Sequence, residues 1–284
     1  MDWTKQYVTV RLQGGLGNQM FQIAGAYALA KRIGRKFCLV NYLFDGMGQG
    51  SHPSKYYDTI FQKIEFIEGL EHVLQVDQDG WVAQILPLTQ NAINSLQCDC
   101  NGIILKGYFQ GLGFFQDYMD DVRTLFRPAE GVIPYLLANS SIFNTFPELR
   151  SDHASGFIGV RRGDYLNTPE VHWPCGMTYY TEAMKRMGCS RYYIASDDMD
   201  WAKSKFCGPQ FRFLDVADDL ELLYIMTLFP KYIISNSTYH WWGAFLSIYP
   251  NPRIIAPDKW INIDGYETIY TPTMEVLERP VEID

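Results

Sequence analysis

Four short segments carry residue types and spacings suited to chemistry. Gly14-Gly15-Leu16-Gly17-Asn18-Gln19 is the first. Glycines let a backbone turn tightly and approach a ligand. A helix starting there offers free N–H groups to an anion or a sugar hydroxyl. As a dinucleotide fingerprint it is incomplete, because Met20 holds the third glycine position and no acid ends the next strand. A tight turn with Asn18 as helix cap is the competing reading. The second segment is Arg161-Arg162-Gly163-Asp164-Tyr165. Paired guanidinium forks at a strand end suit a phosphate, with Asp164 orienting one arginine or accepting from a sugar. A surface ion pair is the plainer alternative.

The third segment, Ser196-Asp197-Asp198-Met199-Asp200-Trp201, offers Asp198 and Asp200 as an acidic pair for a divalent metal. Capping competes and is favoured: Ser196 or Asp197 caps a helix, acids in its first turn complement the dipole, and one carboxylate is left for a nucleotide. The fourth, Ser235-Asn236-Ser237-Thr238-Tyr239-His240-Trp241-Trp242-Gly243, places hydroxyls and an amide at a helix start, where phosphate oxygens bind. Trp241 and Trp242 read as packing residues and His240 as a partly exposed helix residue. Asn236-Ser237-Thr238 is also a glycosylation sequon, a reading disfavoured without a secretory signal.

Each segment needs a strand before it and a helix after it. Apolar patterning predicts a strand at 7–12, a helix over 18–33 stopped by Gly34, and a strand at 37–40, which together make a βαβ unit. Residues 42–100 read as irregular, with His52, Tyr56 and Tyr57 in a loop facing a cleft. A strand at 103–107 and a helix over 114–126 follow. Prolines 128, 134 and 147 mark a weakly periodic linker. Beyond it, strands at 157–160, 192–195, 211–214, 232–234 and 253–255 alternate with helices at 178–187, 198–206, 218–229 and 239–248. Alternation of this kind builds open parallel sheets covered by helices, with ligands at the strand carboxyl ends. The expected fold is α/β, with two Rossmann-like halves, 1–140 and 141–284, facing a central cleft.

Composition narrows the function. Hydrophobic residues at 47% and charged residues at 20% exclude a disordered chain, and a net charge of −8 argues against a nucleic-acid binder. No run of 18 apolar residues exists to span a bilayer, and MDWTKQYVTVRL is not a signal peptide. Six cysteines in 284 residues fit ordinary thiols in a reducing cytoplasm.

Taken together, Gly14–Gln22, Arg161–Tyr165, Ser196-Asp197-Asp198 with Trp201, and Ser235–Thr238 with Trp241-Trp242-Gly243 resemble the α-1,2-fucosyltransferases of glycosyltransferase family eleven in their bacterial form. That resemblance implies a GT-B-like, metal-independent, inverting enzyme without cofactor. Such an enzyme moves L-fucose from GDP-fucose to the 2-hydroxyl of a galactose-terminated glycan. It further implies that Arg161 stabilises the departing diphosphate, with Arg162 and Ser237 beside it. Gly17, Asn236 and Thr238 join the donor site, Asp197 meets the nucleoside, and Asn18 reaches the fucose or diphosphate from the first half. Residues 172–180 resemble an acceptor-side loop, making His172 and Tyr179 candidates there. The general base stays open among Asp164, His172 and Glu170. A cytoplasmic enzyme in peripheral contact with a lipid-linked glycan fits these expectations. One departure stands out: the family places histidine two residues before the first arginine, where this chain has Gly159. If that volume is empty or wet, Gly159→His should lower the KM for GDP-fucose; if the surroundings have repacked, it should clash. A fold-retaining glycan-binding protein and a nucleotide-dependent oxidoreductase are the rival readings.

Overall fold

The computed structural model describes residues 6–41, 43–46, 50–77, 96, 100–262 and 269–280. The chain forms two compact units, Met1–Arg127 and Pro128–Asp284. Residues 128–140 therefore group with the second unit rather than with the first half assigned from sequence. Both units are built on parallel sheets flanked by helices, the α/β class expected.

In the first unit, β1 (Tyr7–Gln13) lies at the centre, followed by α1 (Leu16–Ile33) and β2 (Lys36–Val40). The short β3 (Phe44–Asp45), β4 (Glu65–Ile67), β5 (Val73–Asp77) and β6 (Gly102–Lys106) follow, then α2 (Met119–Phe126). The sheet order is β4-β2-β1-β6-β5, with β3 paired to the end of β1. Helix α1 is buried over most of its length, so it reads as almost continuously apolar rather than striped. Gly34 ends it in the left-handed region at φ 72°, which glycine adopts without steric cost.

Three expectations change in this unit. Helix α1 starts at Leu16 with Gly15 in the N-cap position, so Asn18 lies inside the helix and does not cap it. The helix expected over 114–126 is α-helical only from Met119. Phe115 leaves helical geometry (φ −138°, ψ 13°) between two 3₁₀ turns, and both Phe114 and Phe115 are buried. The stretch carrying His52, Tyr56 and Tyr57 is ordered: His52 accepts the Ser54 N–H to cap a 3₁₀ turn, and Tyr56 is a core residue.

The second unit opens with α3 (Val132–Asn139) and α4 (Ser141–Thr145). Then come β7 (Gly156–Val160), α5 (Met177–Met187), β8 (Tyr192–Ser196), α6 (Met199–Lys205), β9 (Phe211–Phe213), α7 (Asp219–Met226), β10 (Lys231–Ile233), α8 (Thr238–Phe245), β11 (Arg253–Pro257) and β12 (Met274–Leu277). Strand order is β12-β11-β10-β7-β8-β9, all parallel. The chain winds from β7 outward to β9, then returns to β10 on the other side of β7. That reversal is the topological switch point, where open α/β sheets bind ligands. Cys38, Cys175, Cys189 and Cys207 are free thiols, whereas Cys100 is disulfide-bonded, against the expectation of thiols throughout.

A reciprocal pair joins β1 to α1 in the first unit. The Gln13 N–H donates to Gln22 Oε1 (3.0 Å), and Gln22 Nε2 donates to the Gln13 carbonyl (3.1 Å), both buried. Gln22→Leu leaves two buried backbone groups unpaired, each costing about 1–3 kcal/mol. Urea denaturation should show the loss; an unchanged midpoint would mean that the pair contributes nothing.

Candidate active site

The switch-point end of β7 carries Arg161 and Arg162, held by the strand next door. Val160 pairs with Ser196 at the end of β8, which brings Asp197 beside the arginines. One Asp197 oxygen lies 3.1 Å from the Arg161 guanidinium, and the other accepts the Arg162 backbone N–H at 2.8 Å. Asp164 grips Arg161 from the other side at 2.5 Å. Burial raises the Asp197 carboxyl above its usual range, against the opposing pull of Arg161 and the Arg162 N–H. A Cβ at Gly163 would sit 2.9 Å from the Asp197 carboxylate, so this closeness requires glycine. Arg162 is buried over the Trp201 ring, 4.6 Å from its centroid, with Asp198 at 3.6 Å.

The acidic segment is a cap, as favoured, but the capping residue is Asp198 rather than Ser196 or Asp197. Its carboxylate accepts the Trp201 N–H at 3.1 Å, and its own N–H donates to Ser196 Oγ. Asp197 is thereby left to the arginines.

After β10, Ser237 holds the N-cap position of α8 with no side-chain capping bond, and Thr238 begins the helix. Asn236 points inward. Its Nδ2 donates to the Trp173 and Trp260 carbonyls, so its side chain fastens two loops to the strand end. The side-chain amide is thus engaged within the fold, and its burial disposes of the sequon. Trp241 and Trp242 are core residues, as expected.

His240, read from sequence as partly exposed, is buried. Its Nδ1 lies 2.9 Å from Ser235 Oγ. An ideal Cβ on Gly159 would fall 2.5 Å from the ring's Cγ and Nδ1. The volume in question is thus filled by an imidazole from another element. Gly159→His should clash, which overturns the expectation of a lowered KM and supports repacking. The Gly159 carbonyl accepts from the Ser235 N–H (3.1 Å) and the Tyr180 hydroxyl (3.2 Å), which fixes the strand end against both neighbours. Burial pushes the imidazole pKa down to about 3, and the Arg161 charge adds to the effect. The only sequence signal was a histidine in a helix that follows a strand, too common a pattern to single out.

Tyr165 continues the cluster. Its ring stacks on His172 at 4.3 Å and 11°, lies 5.2 Å from the Arg161 guanidinium carbon, and its hydroxyl donates to the Asn236 carbonyl. His172 and Asp164 are therefore both brought to Arg161, while Glu170 is exposed. Burial lowers the His172 pKa, opposed by Asp164. Tyr179, an acceptor-side candidate from sequence, is instead a core residue whose hydroxyl donates to the Ile234 carbonyl at 2.6 Å.

In the first unit, Gly17 is buried in the first turn of α1 and Asn18 Oδ1 accepts from Gln110 at 2.9 Å. A Cβ on Gly50 would come within 2.4 Å of Gly15 Cα, so another stretch of backbone lies directly on the glycine turn. Gln19 Nε2 bridges the Gly14 and Ser51 carbonyls, 3.0 Å from each.

The profile described as Glycosyl transferase family 11 matches residues 133–266, a span containing the whole cluster. Two Escherichia coli proteins are similar over nearly the whole chain, each at 26% identity. O-antigen biosynthesis glycosyltransferase WbnK aligns over 88% of this chain and 93% of its own length, and an alpha-1,2-colitosyltransferase over 89% and 92%. Among solved structures, fucosyltransferase NodZ from Bradyrhizobium superposes with a TM-score of 0.53 at 15% identity, covering 88% of this chain and 94% of its own. A family 9 glycosyl transferase from Veillonella parvula superposes with a TM-score of 0.50 at 11% identity, over 100% and 90%. At such identities these two bear on the fold. No helix among the described residues is long and apolar enough to cross a membrane.

A buried neutral His240 ties stability to pH. Unfolded, it titrates near its ordinary 6.5; folded, it resists protonation until about 3. The unfolded chain therefore binds the extra proton between these values, and stability falls as pH drops below about 6.5. Between pH 7 and 5 this one group accounts for about 2 kcal/mol. Melts of His240→Gln across that window should show a shallower acid slope than the parent; parallel slopes would mean that the ring is accessible to protons in the native state.

Proposed function

We propose that this chain is a glycosyltransferase of family 11 that transfers L-fucose from GDP-fucose to the 2-hydroxyl of a terminal galactose, with inversion at the anomeric carbon, a reading supported by the family match and by the two relatives. The observation that carries the reading is the arginine pair at the β7 switch point, oriented by Asp197 beside the N-terminus of α8. As the bond from C1 to the diphosphate breaks, the sugar gains oxocarbenium character and negative charge grows on the β-phosphate. Donors already fixed in place stabilise that charge without reorganising. Arg161, Arg162, the Ser237 hydroxyl and the first N–H groups of α8 supply them. Ser237 is suited to this because its hydroxyl is not spent on capping. The acceptor hydroxyl loses its proton to a base, and Asp164 and His172 are the two candidates that lie with Arg161 on Tyr165. The NodZ structures in complex with GDP and soaked with GDP-fucose give the same fold a nucleotide-sugar precedent. The colitosyltransferase relative favours a second reading, with a colitosyl donor in place of fucosyl.

No step in this scheme needs a metal, since the arginines meet the diphosphate charge and Asp198 is engaged in capping α6. In EDTA, the chain given GDP-fucose and a galactoside should release GDP and form a product cleaved by an α-1,2-specific fucosidase. Loss of turnover on chelation, restored by Mn²⁺ or Mg²⁺, would refute metal independence. Turnover with a colitosyl donor alone would favour the second reading.

Arg161→Ala should lower turnover by about 10²–10³, the effect of removing one preorganised donor. Arg161→Lys should recover little, because an ammonium lacks the planar fork. Wild-type turnover in a folded Arg161→Ala chain would show that the phosphate is bound elsewhere.

A further inference from the structure

We propose that His240, reaching from α8 into the volume above Gly159, is a donor-binding residue whose Nε2–H hydrogen-bonds the diphosphate of the nucleotide sugar. The inference rests on the nucleotide-sugar reading of the Arg161 site and adds a residue to it.

The protonated nitrogen can be assigned from burial alone. Ser235 is 0% exposed, so its hydroxyl proton must find a partner inside the protein. Among the described residues, the partner of that hydroxyl is His240 Nδ1, at 2.9 Å. Ser235 therefore donates and Nδ1 accepts, which leaves Nε2 carrying the hydrogen in the neutral ring. That N–H has no hydrogen-bond partner among the described residues, although His240 is only 5% exposed. The ring is nearly buried, yet this nitrogen is not among the fully enclosed unpaired atoms, so the one donor left over is reachable by an acceptor from outside the fold.

Position supplies the acceptor's class. Arg161 follows β7 directly, two residues after Gly159, and its charge acts on the His240 ring. The ring that fills the Gly159 side-chain volume thus lies within reach of the Arg161 charge. A neutral N–H beside a guanidinium suits an anion, and it adds no second positive charge for Arg161 to repel. The device needs glycine at 159, because any Cβ there meets the ring at 2.5 Å.

Calorimetry with GDP on the parental chain and three variants tests this. His240→Phe keeps the ring and removes both nitrogens; it should weaken GDP binding about 2- to 10-fold, as expected for one lost hydrogen bond. It should raise the donor KM while leaving the acceptor KM unchanged, a split that simple space filling would not produce. The double variant Gly159→His/His240→Ala moves the imidazole to the strand and should bind GDP more tightly than His240→Ala. Parental GDP affinity in His240→Phe, or a double variant that binds no better than His240→Ala, would overturn the proposal. A parental chain that does not bind GDP would instead remove the nucleotide reading on which it stands.

Discussion

The grip of a single carboxylate organises the second unit's site. Asp197, at the end of β8, holds the Arg161 guanidinium with one oxygen and the Arg162 backbone N–H with the other. It therefore sets both the direction of one side chain and the path of the chain between two arginines. The neighbouring residues serve this grip. Gly163 leaves room for the carboxylate, Asp198 takes over the capping of α6, and Asp164 closes on Arg161 from the opposite side. These ion pairs are part-exposed, and such pairs contribute little to stability. Their value lies in orientation, which a planar fork held at both ends provides.

A second constraint acts beside the first. The backbone of Gly159 is pinned by Ser235 and Tyr180, and its missing side chain is replaced by a histidine from α8. Three consecutive features of the chain after β10 thus have separate tasks. Ser235 fixes the ring, Asn236 fastens the loops carrying Trp173 and Trp260, and Ser237 presents a helix N-terminus. Burial keeps the ring neutral, and the neighbouring Arg161 charge acts in the same direction.

The first unit uses a different device at its own strand end. Its glycine turn allows the segment at Gly50 and Ser51 to lie against backbone, with Gln19 bridging the two. Buried glutamines, rather than charges, hold this turn, because an amide can satisfy backbone donors and acceptors without the cost of desolvating an ion.

Much of this was present in the linear pattern. Strand-to-helix alternation, the glycine turn, the arginine pair and the capping acids rest on local rules of periodicity and chain stereochemistry. They determined the parallel α/β class and placed the phosphate-suited residues at strand ends. Tertiary structure decided which side chains turn toward one another. Asn236 and Tyr179 carry polar groups that look available in sequence, yet buried carbonyls claim them. Gly159 looked like a lost imidazole until His240, 81 positions along the chain, proved to occupy its volume. The reason is physical: local pattern specifies backbone conformation, whereas a shared volume and a buried hydrogen bond exist only once distant strands lie side by side.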